Sequence, residues 1–163
     1  MSVDGVVLRE YRAGDLEAMW ALDVACFDPV FRFSKRAMRL FAEAAGAIVV
    51  VAEKDSDAAS NGGELVGFAI VQIEGGGRAG SRGYVVTLDV AEGWRRQGLA
   101  RQLMLEAETK AAATGAVRMA LHVYVGNEAA VRLYEGMGYR QVGIAENFYG
   151  PGMDALVYLK RLA

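Results

Sequence analysis

The stretch "YVVTLDVAEGWRRQGLARQLM", Tyr84–Met104, contains a strand, a turn and the opening of a helix in one run. Its first seven residues are apolar and β-branched enough to read as a strand ending at Val90. The next segment, "AEGWRRQGLARQLMLEAETKAAATG" (91–115), reads as a helix stopped by Gly115, with "RRQGLA" (95–100) marking the passage from strand end to helix. A second strand, "VRMALHVYV" (117–125), and a helix from about Asn127 to Met137 come after it. Strand, helix, strand and helix in this order predict a parallel βαβ crossover.

Working outward, "VVLREY" (6–11) reads as a strand, and "GDLEAMWALDVACF" (14–27) as a helix capped by Asp15. Ser34 caps a second helix, "KRAMRLFAEAA" (35–45). "AIVVVAE" (47–53) and "ELVGFAIVQIE" (64–74) form an antiparallel hairpin around the polar turn "KDSDAASNGG" (54–63), and "GGGRAGSR" (75–82) is a loop. "YRQVGIAE" (139–146) and "DALVYLKR" (154–161) close the chain as strands. Seven strands and four helices with one parallel crossover make an α+β protein with a mixed, mostly antiparallel sheet. No repeat or linker divides the chain, so residues 1–163 are read as one domain.

Composition narrows the function classes. A net charge of −2, from 18 basic against 20 acidic residues, offers no general attraction to a phosphate backbone or an anionic membrane, so no nucleic-acid or membrane partner is expected. Apolar runs such as "AIVVVA" (47–52) fall far short of the ~20 residues that span a bilayer. Cys26 is the single cysteine and no basic stretch leads a long apolar run at the start, which together predict a cytoplasmic setting. One Cys and one His, far apart, do not make a zinc site, and no metal is expected. Cys26, on the first helix, is read as core packing.

Three features could carry chemistry. At "RRQGLA" the unpaired N–H groups and positive dipole end of a helix start favour an anion, Gly98 lets a ligand approach the backbone, and Arg95, Arg96 and Arg101 add charge. A solvated glycine turn fits the hexapeptide equally well, and the Gly-Lys-Ser/Thr of a P-loop is absent. Asn127 is a good N-cap for a helix lined by Ala130, Leu133, Tyr134 and Met137 and ended by Gly138. His122, the only histidine, lies with Arg118, Ala120 and Tyr124 opposite the apolar face formed by Val117, Met119, Leu121, Val123 and Val125. A structural strand histidine and a catalytic base both fit that position.

The strand "YVVTLDV", the turn "RRQGLA" and the segment "NEAAVRLYEGMGY", at this separation, resemble the acetyl-CoA-binding core of the GNAT N-acetyltransferase family. That resemblance implies a splayed parallel central pair, 84–90 and 117–125, opening a V-shaped cleft for the cosubstrate acetyl-CoA. Its pantetheine would pair with the backbone at Leu88, Asp89 and Val90. Its pyrophosphate would sit on the amides of Arg95, Arg96, Gln97, Gly98, Leu99, Ala100 and Arg101, with Asn127 touching pantetheine from the other side. Tyr134 matches a family tyrosine near the thioester sulfur, expected to act as general acid.

"YVVTL" and "LHVYVGNEAA" further resemble the NatE-type protein N-terminal acetyltransferases, in which a tyrosine at the position of Tyr84 and a histidine at that of His122 together deprotonate the acceptor amine. The related ribosomal-protein alanine acetyltransferases carry glutamate where this chain has His122. "ENFYGPGMDALVYLKR" is similar to the turn with which such enzymes hold a peptide, with Phe148 and Tyr149 in the matching places. Phe31, Phe33, Val86 and Tyr149 are the expected acceptor contacts. The implied activity is acetyl transfer to a primary amine, foremost a peptide or protein N-terminus. A small amine as acceptor, or a non-catalytic acetyl-CoA-binding module, are the alternatives, and the oligomeric state stays open.

Overall fold

In a computed structural model, which describes residues 3–55 and 63–162, the chain forms one seven-stranded sheet flanked by four α-helices. In chain order the elements are β1 (Val6–Glu10), α1 (Leu16–Cys26), α2 (Lys35–Ala42), β2 (Ile48–Lys54), β3 (Leu65–Gly75), β4 (Ser81–Val90), α3 (Leu99–Ala113), β5 (Ala116–Tyr124), α4 (Glu128–Gly136), β6 (Arg140–Ala145) and β7 (Ala155–Arg161). The strands lie side by side as β1-β2-β3-β4-β5-β7-β6. Every neighbouring pair is antiparallel except β4 and β5, which α3 joins as a parallel crossover. This is the α+β, mixed-sheet fold expected from the order of elements.

Alternation along the strands feeds two cores, one on each face of the sheet. On the α3 and α4 face, Val50 and Ala52 of β2, Ala69 and Val71 of β3, and Met119, Leu121 and Val123 of β5 pack against Leu99, Leu103, Met104 and Tyr134. Leu103 has no exposed surface, and burying a leucine of this kind contributes roughly 1.5–3 kcal/mol. Gly67 lets α3 come close, since a Cβ there would stand 3.1 Å from Leu103 Cδ1 and from the Asp89 carbonyl. On the other face, Val49, Val51, Phe68 and Ile70 pack against Leu16, Met19 and Met38 of α1 and α2.

The central pair has the geometry that matters most. β4 and β5 are paired only from Ser81↔Ala116 to Tyr84↔Ala120, after which β4 continues with β3 alone and β5 with β7 alone. Just beyond this point β4 is bulged: Ile70 faces Thr87 and Val71 faces Val85, leaving Val86 without a partner across the ladder. A bulge bends and twists its strand, here one turn of the pleat past the last β4–β5 pair.

Four expectations need correction. The helix read from residue 91 begins at Leu99; Glu92–Trp94 is a single 3-10 turn, and positive φ at Arg96 (64°) and Gly98 (86°) keeps residues 95–98 out of the helix. Asp15 does stand at the start of α1 but does not cap it, because its carboxylate is drawn back to the Arg9 guanidinium (2.7 and 2.8 Å) and the Arg12 N–H (2.7 Å). The loop read over 75–82 is shorter, with β3 running to Gly75 and β4 starting at Ser81. Val117 and Val125, expected on the apolar face of the strand, are both exposed, Val117 near the start of β5 and Val125 just past its end. Of the polar turn at 54–63, residues 56–62 lie outside the described residues.

Candidate active site

Where β4 and β5 part, the first side chains on the α1/α2 face of the gap are Tyr84 and His122. Tyr84 is the last β4 residue paired with β5, and His122 lies two residues beyond its partner Ala120. Their side chains bridge the opening, with Tyr84 Oη 2.8 Å from His122 Nδ1. Burial raises the Tyr84 phenol above its ordinary pKa, Glu74 adds to this, and Arg82 opposes it. Burial also lowers the His122 imidazole below its usual value, and Arg82 lowers it further. At neutral pH the phenol therefore keeps its proton and the imidazole is neutral, and in the tautomer that carries the ring hydrogen on Nε2 the Tyr84 hydroxyl donates to Nδ1.

Aromatic rings enclose this pair. Phe148 stacks on His122 with centroids 4.1 Å apart and planes 5° from parallel. Tyr149 meets Phe148 edge-on at 4.9 Å, Phe31 meets Tyr149 at 5.0 Å, and Phe31 reaches Tyr124 at 5.2 Å. The link between β6 and β7 that carries Phe148 and Tyr149 is tied to itself. Asn147 adopts positive φ (54°), its Oδ1 accepts the Gly152 N–H (2.7 Å), its N–H donates to Asp154 Oδ1 (2.9 Å), and the Tyr149 N–H donates to the Met153 carbonyl (3.1 Å). Burial pushes the Tyr149 phenol up to about 12, with Tyr84 adding to the shift.

Not every residue singled out in the sequence joins this cluster. Phe31 does, but Phe33 packs edge-on against Phe41 at 5.6 Å, and Val86 lies against the α1/α2 core. Tyr134 is on the opposite face, buried in the α3/α4 core and edge-on to Tyr139 at 5.6 Å; burial holds its phenol above the ordinary tyrosine value. It approaches the gap from the other side of the sheet. Two features escaped sequence reading: the stacking of Phe148 on His122 and the Glu74–Arg82 ion pair (3.2 Å) whose charges reach Tyr84 and, from Arg82, His122. Strand period did put Tyr124 and His122 on one face, whereas the β6–β7 link has no period to read.

Beyond the bulge, Leu88 and Asp89 pair with Ala69 and Phe68 of β3. The Val90 carbonyl accepts Arg95 Nε–H at 3.0 Å and Cys26 Sγ–H at 3.4 Å, so Arg95 is turned back to the strand end. Gln97 Nε2 donates to the Gly93 carbonyl (3.2 Å), while the Gly98 carbonyl accepts the Gln102 N–H (3.1 Å), the first bond of α3. The amides of Leu99, Ala100 and Arg101 thus form a helix first turn, which has no preceding carbonyl to take them. Nothing stands within 4 Å of where a Gly98 Cβ would be, so the approach to these amides is open. Asn127 caps α4 by accepting the Ala130 N–H at 3.2 Å. First-turn amides, an open approach and parted strands fit a ligand with an anionic end and an extended amide-bearing arm.

A model of the acetyltransferase (GNAT) family matches residues 16–139. An N-alpha-acetyltransferase of Sulfurisphaera tokodaii is 33% identical over 102 residues, 57% of this chain and 60% of that protein. The N-terminal acetyltransferase A complex catalytic subunit ard1 of Schizosaccharomyces pombe is 31% identical over 96 residues, 57% of this chain and 54% of that one. The chain spans about half the length of these curated relatives. Among solved structures, Arabidopsis thaliana NAA60 in complex with a bisubstrate analogue shares the fold at a TM-score of 0.83 and 23% identity, covering 96% of this chain and 97% of that one. Arabidopsis thaliana Naa50 with the bisubstrate analogue CoA-Ac-MVNAL does so at 0.80 and 23%, covering 97% and 99%.

With a single histidine in the chain, proton NMR reads this site without assignment. The folded imidazole should titrate below its ordinary 6.5, and Arg82→Gln should move it upward by removing the nearby positive charge. Because the folded ring resists protonation, the fold should also lose stability as pH falls below about 6.5, and less so in Arg82→Gln.

Proposed function

Because the chain belongs to the acetyltransferase (GNAT) family, we propose that it transfers acetyl from acetyl-CoA to a primary amine, foremost the α-amine of a peptide or protein N-terminus. The observation that carries the acceptor reading is the 2.8 Å contact of Tyr84 with His122 at the parting of β4 and β5, enclosed by Phe31, Tyr124, Phe148 and Tyr149. An α-amine, with a pKa of about 7.7–8.0, has roughly a tenth of its molecules uncharged at pH 7 and needs only a modest base. A neutral imidazole supplies one.

Acetyl-CoA, when bound, supplies an activated acetyl whose carbonyl carbon takes the amine lone pair as the carbon–sulfur bond breaks. The chain's residues handle protons and charge. Tyr84 takes a proton from the amine, directly or through water, while passing its own phenolic proton to His122 Nδ1. A backbone N–H near Leu88, beside the bulge, stabilises the developing oxyanion. Tyr134, whose burial keeps its phenol protonated, is the proton source for the departing sulfur from the other face. Leu88, Asp89, Val90 and Asn127 would hold the pantetheine arm, and the turn from Arg95 through Gln97, Gly98 and Ala100 to Arg101 the pyrophosphate. Phe31 and Tyr149 line the acceptor side, with Phe33 and Val86 behind them.

We read residues 1–163 as one domain, with the lone Cys26 supporting a cytoplasmic setting. Among the described residues, no helix is long and apolar enough to cross a membrane.

The decisive experiment measures acetyl-CoA consumption with matched peptides. Those with a free N-terminus should react much faster than the same peptides N-blocked and carrying an internal lysine, whose pKa near 10.4 leaves only ~0.04% uncharged at pH 7. Preference for the lysine peptide, or for small amines alone, would redirect the assignment. His122→Ala and Tyr84→Phe should each lower kcat by roughly 10²-fold with acetyl-CoA affinity little changed, and the double variant should lose less than the product of the two. Calorimetry checks the cofactor turn: Gly98→Glu forces a side chain into positive φ and sets a carboxylate before the first-turn amides, so acetyl-CoA affinity should fall steeply.

A further inference from the structure

Two carboxyls join α1 to β4, and the proposed acetyl transfer uses neither. Asp23, in the last turn of α1, is 0% exposed, and Asp89, next to the end of β4, is 1% exposed. Asp23 Oδ2 accepts the Phe33 N–H at 2.9 Å, and Asp89 Oδ1 accepts the Thr87 hydroxyl at 2.5 Å. The other oxygen of each, Asp23 Oδ1 and Asp89 Oδ2, is buried with no hydrogen-bond partner among the described residues, and the two carboxyls lie close enough for each to act on the other's charge. Two carboxylates offer each other only acceptors, so a bond between these two oxygens needs a proton on one of them. An unpaired second charge at such depth would also be costly.

The pair stands between the two halves of the proposed site. From Asp23 the chain is held at Phe33, two residues past Phe31, whose ring touches Tyr124 and Tyr149 on the acceptor side. Asp89 lies between Leu88 and Val90, and the Val90 carbonyl gathers Cys26 of α1 and Arg95 of the cofactor turn. We infer that Asp23 and Asp89 are positioning residues that share one proton and, through it, hold the acceptor wall in register with the cofactor strand. The inference rests on the site's reading as an N-terminal acetyltransferase.

The surrounding charges agree. Burial and the adjacent Asp23 carboxyl hold the Asp89 carboxyl well above the carboxylate range, against the Thr87 hydroxyl and the Arg95 guanidinium. The other titratable groups facing the pair are Cys26, its thiol raised by burial and by Asp89, and Tyr134 across the sheet, held protonated by burial. Loss of the shared proton puts like charges in a dry contact. The relief is separation of α1 from β4, which draws Phe31 away from the acceptor.

The test compares wild type with Asp23→Asn, whose amide can donate to Asp89 in place of the proton while its carbonyl still accepts from Phe33. The first readout is independent of catalysis: denaturant unfolding across pH. Above the unfolded aspartate value near 4, the folded state holds a proton that the unfolded state has released, so the wild-type folded-to-unfolded ratio should fall by up to tenfold per pH unit relative to Asp23→Asn. The second readout is the KM for one peptide. In wild type it should rise roughly tenfold or more toward alkaline pH relative to Asp23→Asn, while Asp23→Leu, with no hydrogen bond to offer, should show the raised KM at every pH and a smaller change in kcat. Parallel stability slopes would overturn the shared proton. Different slopes with superimposable KM profiles would overturn the positioning role. Absence of transfer to any peptide by wild type would overturn the acceptor reading and the positioning with it, while the stability slopes would still decide the proton.

Discussion

A β-sheet that separates two of its central strands leaves backbone donors and acceptors facing a gap, and buried backbone polar groups must find partners. β4 and β5 stop pairing after Tyr84 and Ala120, in the middle of a seven-stranded sheet. Each remains paired on its far side, β4 with β3 and β5 with β7, so the gap costs neither strand its place. The rest of the molecule is arranged around it. The unpaired Val86 turns β4 as it leaves its neighbour, and α3 and α4 close one face while the segments carrying Phe31 and Phe148 close the other.

The two faces of the gap differ in kind. On the α1/α2 side are a neutral imidazole, a protonated phenol and a shell of rings, surroundings in which an uncharged amine is favoured over an ammonium. On the α3/α4 side, Tyr134 is enclosed by the main core and held by Tyr139. A strong ionic arrangement anchors that core: Glu108 of α3 accepts from the Tyr139 hydroxyl at 2.7 Å and from Lys160 of β7 at 2.8 Å, tying the crossover helix to strands beyond the gap. The turn that precedes α3, the end of β4 and the last turn of α1 meet at Val90, so the residues proposed to bind one substrate are continuous with those that shape the other's wall.

Much of the fold could be read from pattern, because strands and helices announce themselves by period. All seven strands and four helices were legible, as was the parallel crossover, since a strand-helix-strand run has few ways to return to its sheet. Errors fell at ends, where a few local bonds outweigh propensity: Asp15 turned to Arg9, and α3 was delayed by positive φ at Arg96 and Gly98. In the site, Tyr84 and His122 were named from the sequence, but their contact depends on where pairing stops, and the bulge at Val86 has no signature in "YVVTL". Phe31 and Phe33 are indistinguishable as letters; only the path of the α1–α2 link sends one to Tyr149 and the other to Phe41. The Asp23–Asp89 contact joins residues too far apart in sequence for any local rule to pair.

The β6–β7 link is closed by bonds among its own residues, from Asn147 to Gly152 and Asp154 and from Tyr149 to Met153; outward, the Asp154 carbonyl accepts the Val125 N–H at 3.1 Å, and Phe148 and Tyr149 meet the site through their rings. A clip of this construction is exchangeable. Neither aromatic side chain holds a ladder hydrogen bond of the sheet, and Tyr149 stands one ring away from the Tyr84–His122 contact, whereas Phe148 stacks on the imidazole itself. Under the proposed function, variation at Tyr149 would alter the choice of acceptor while the Tyr84–His122 contact stays in place, a route by which acceptor preference diverges over evolutionary time.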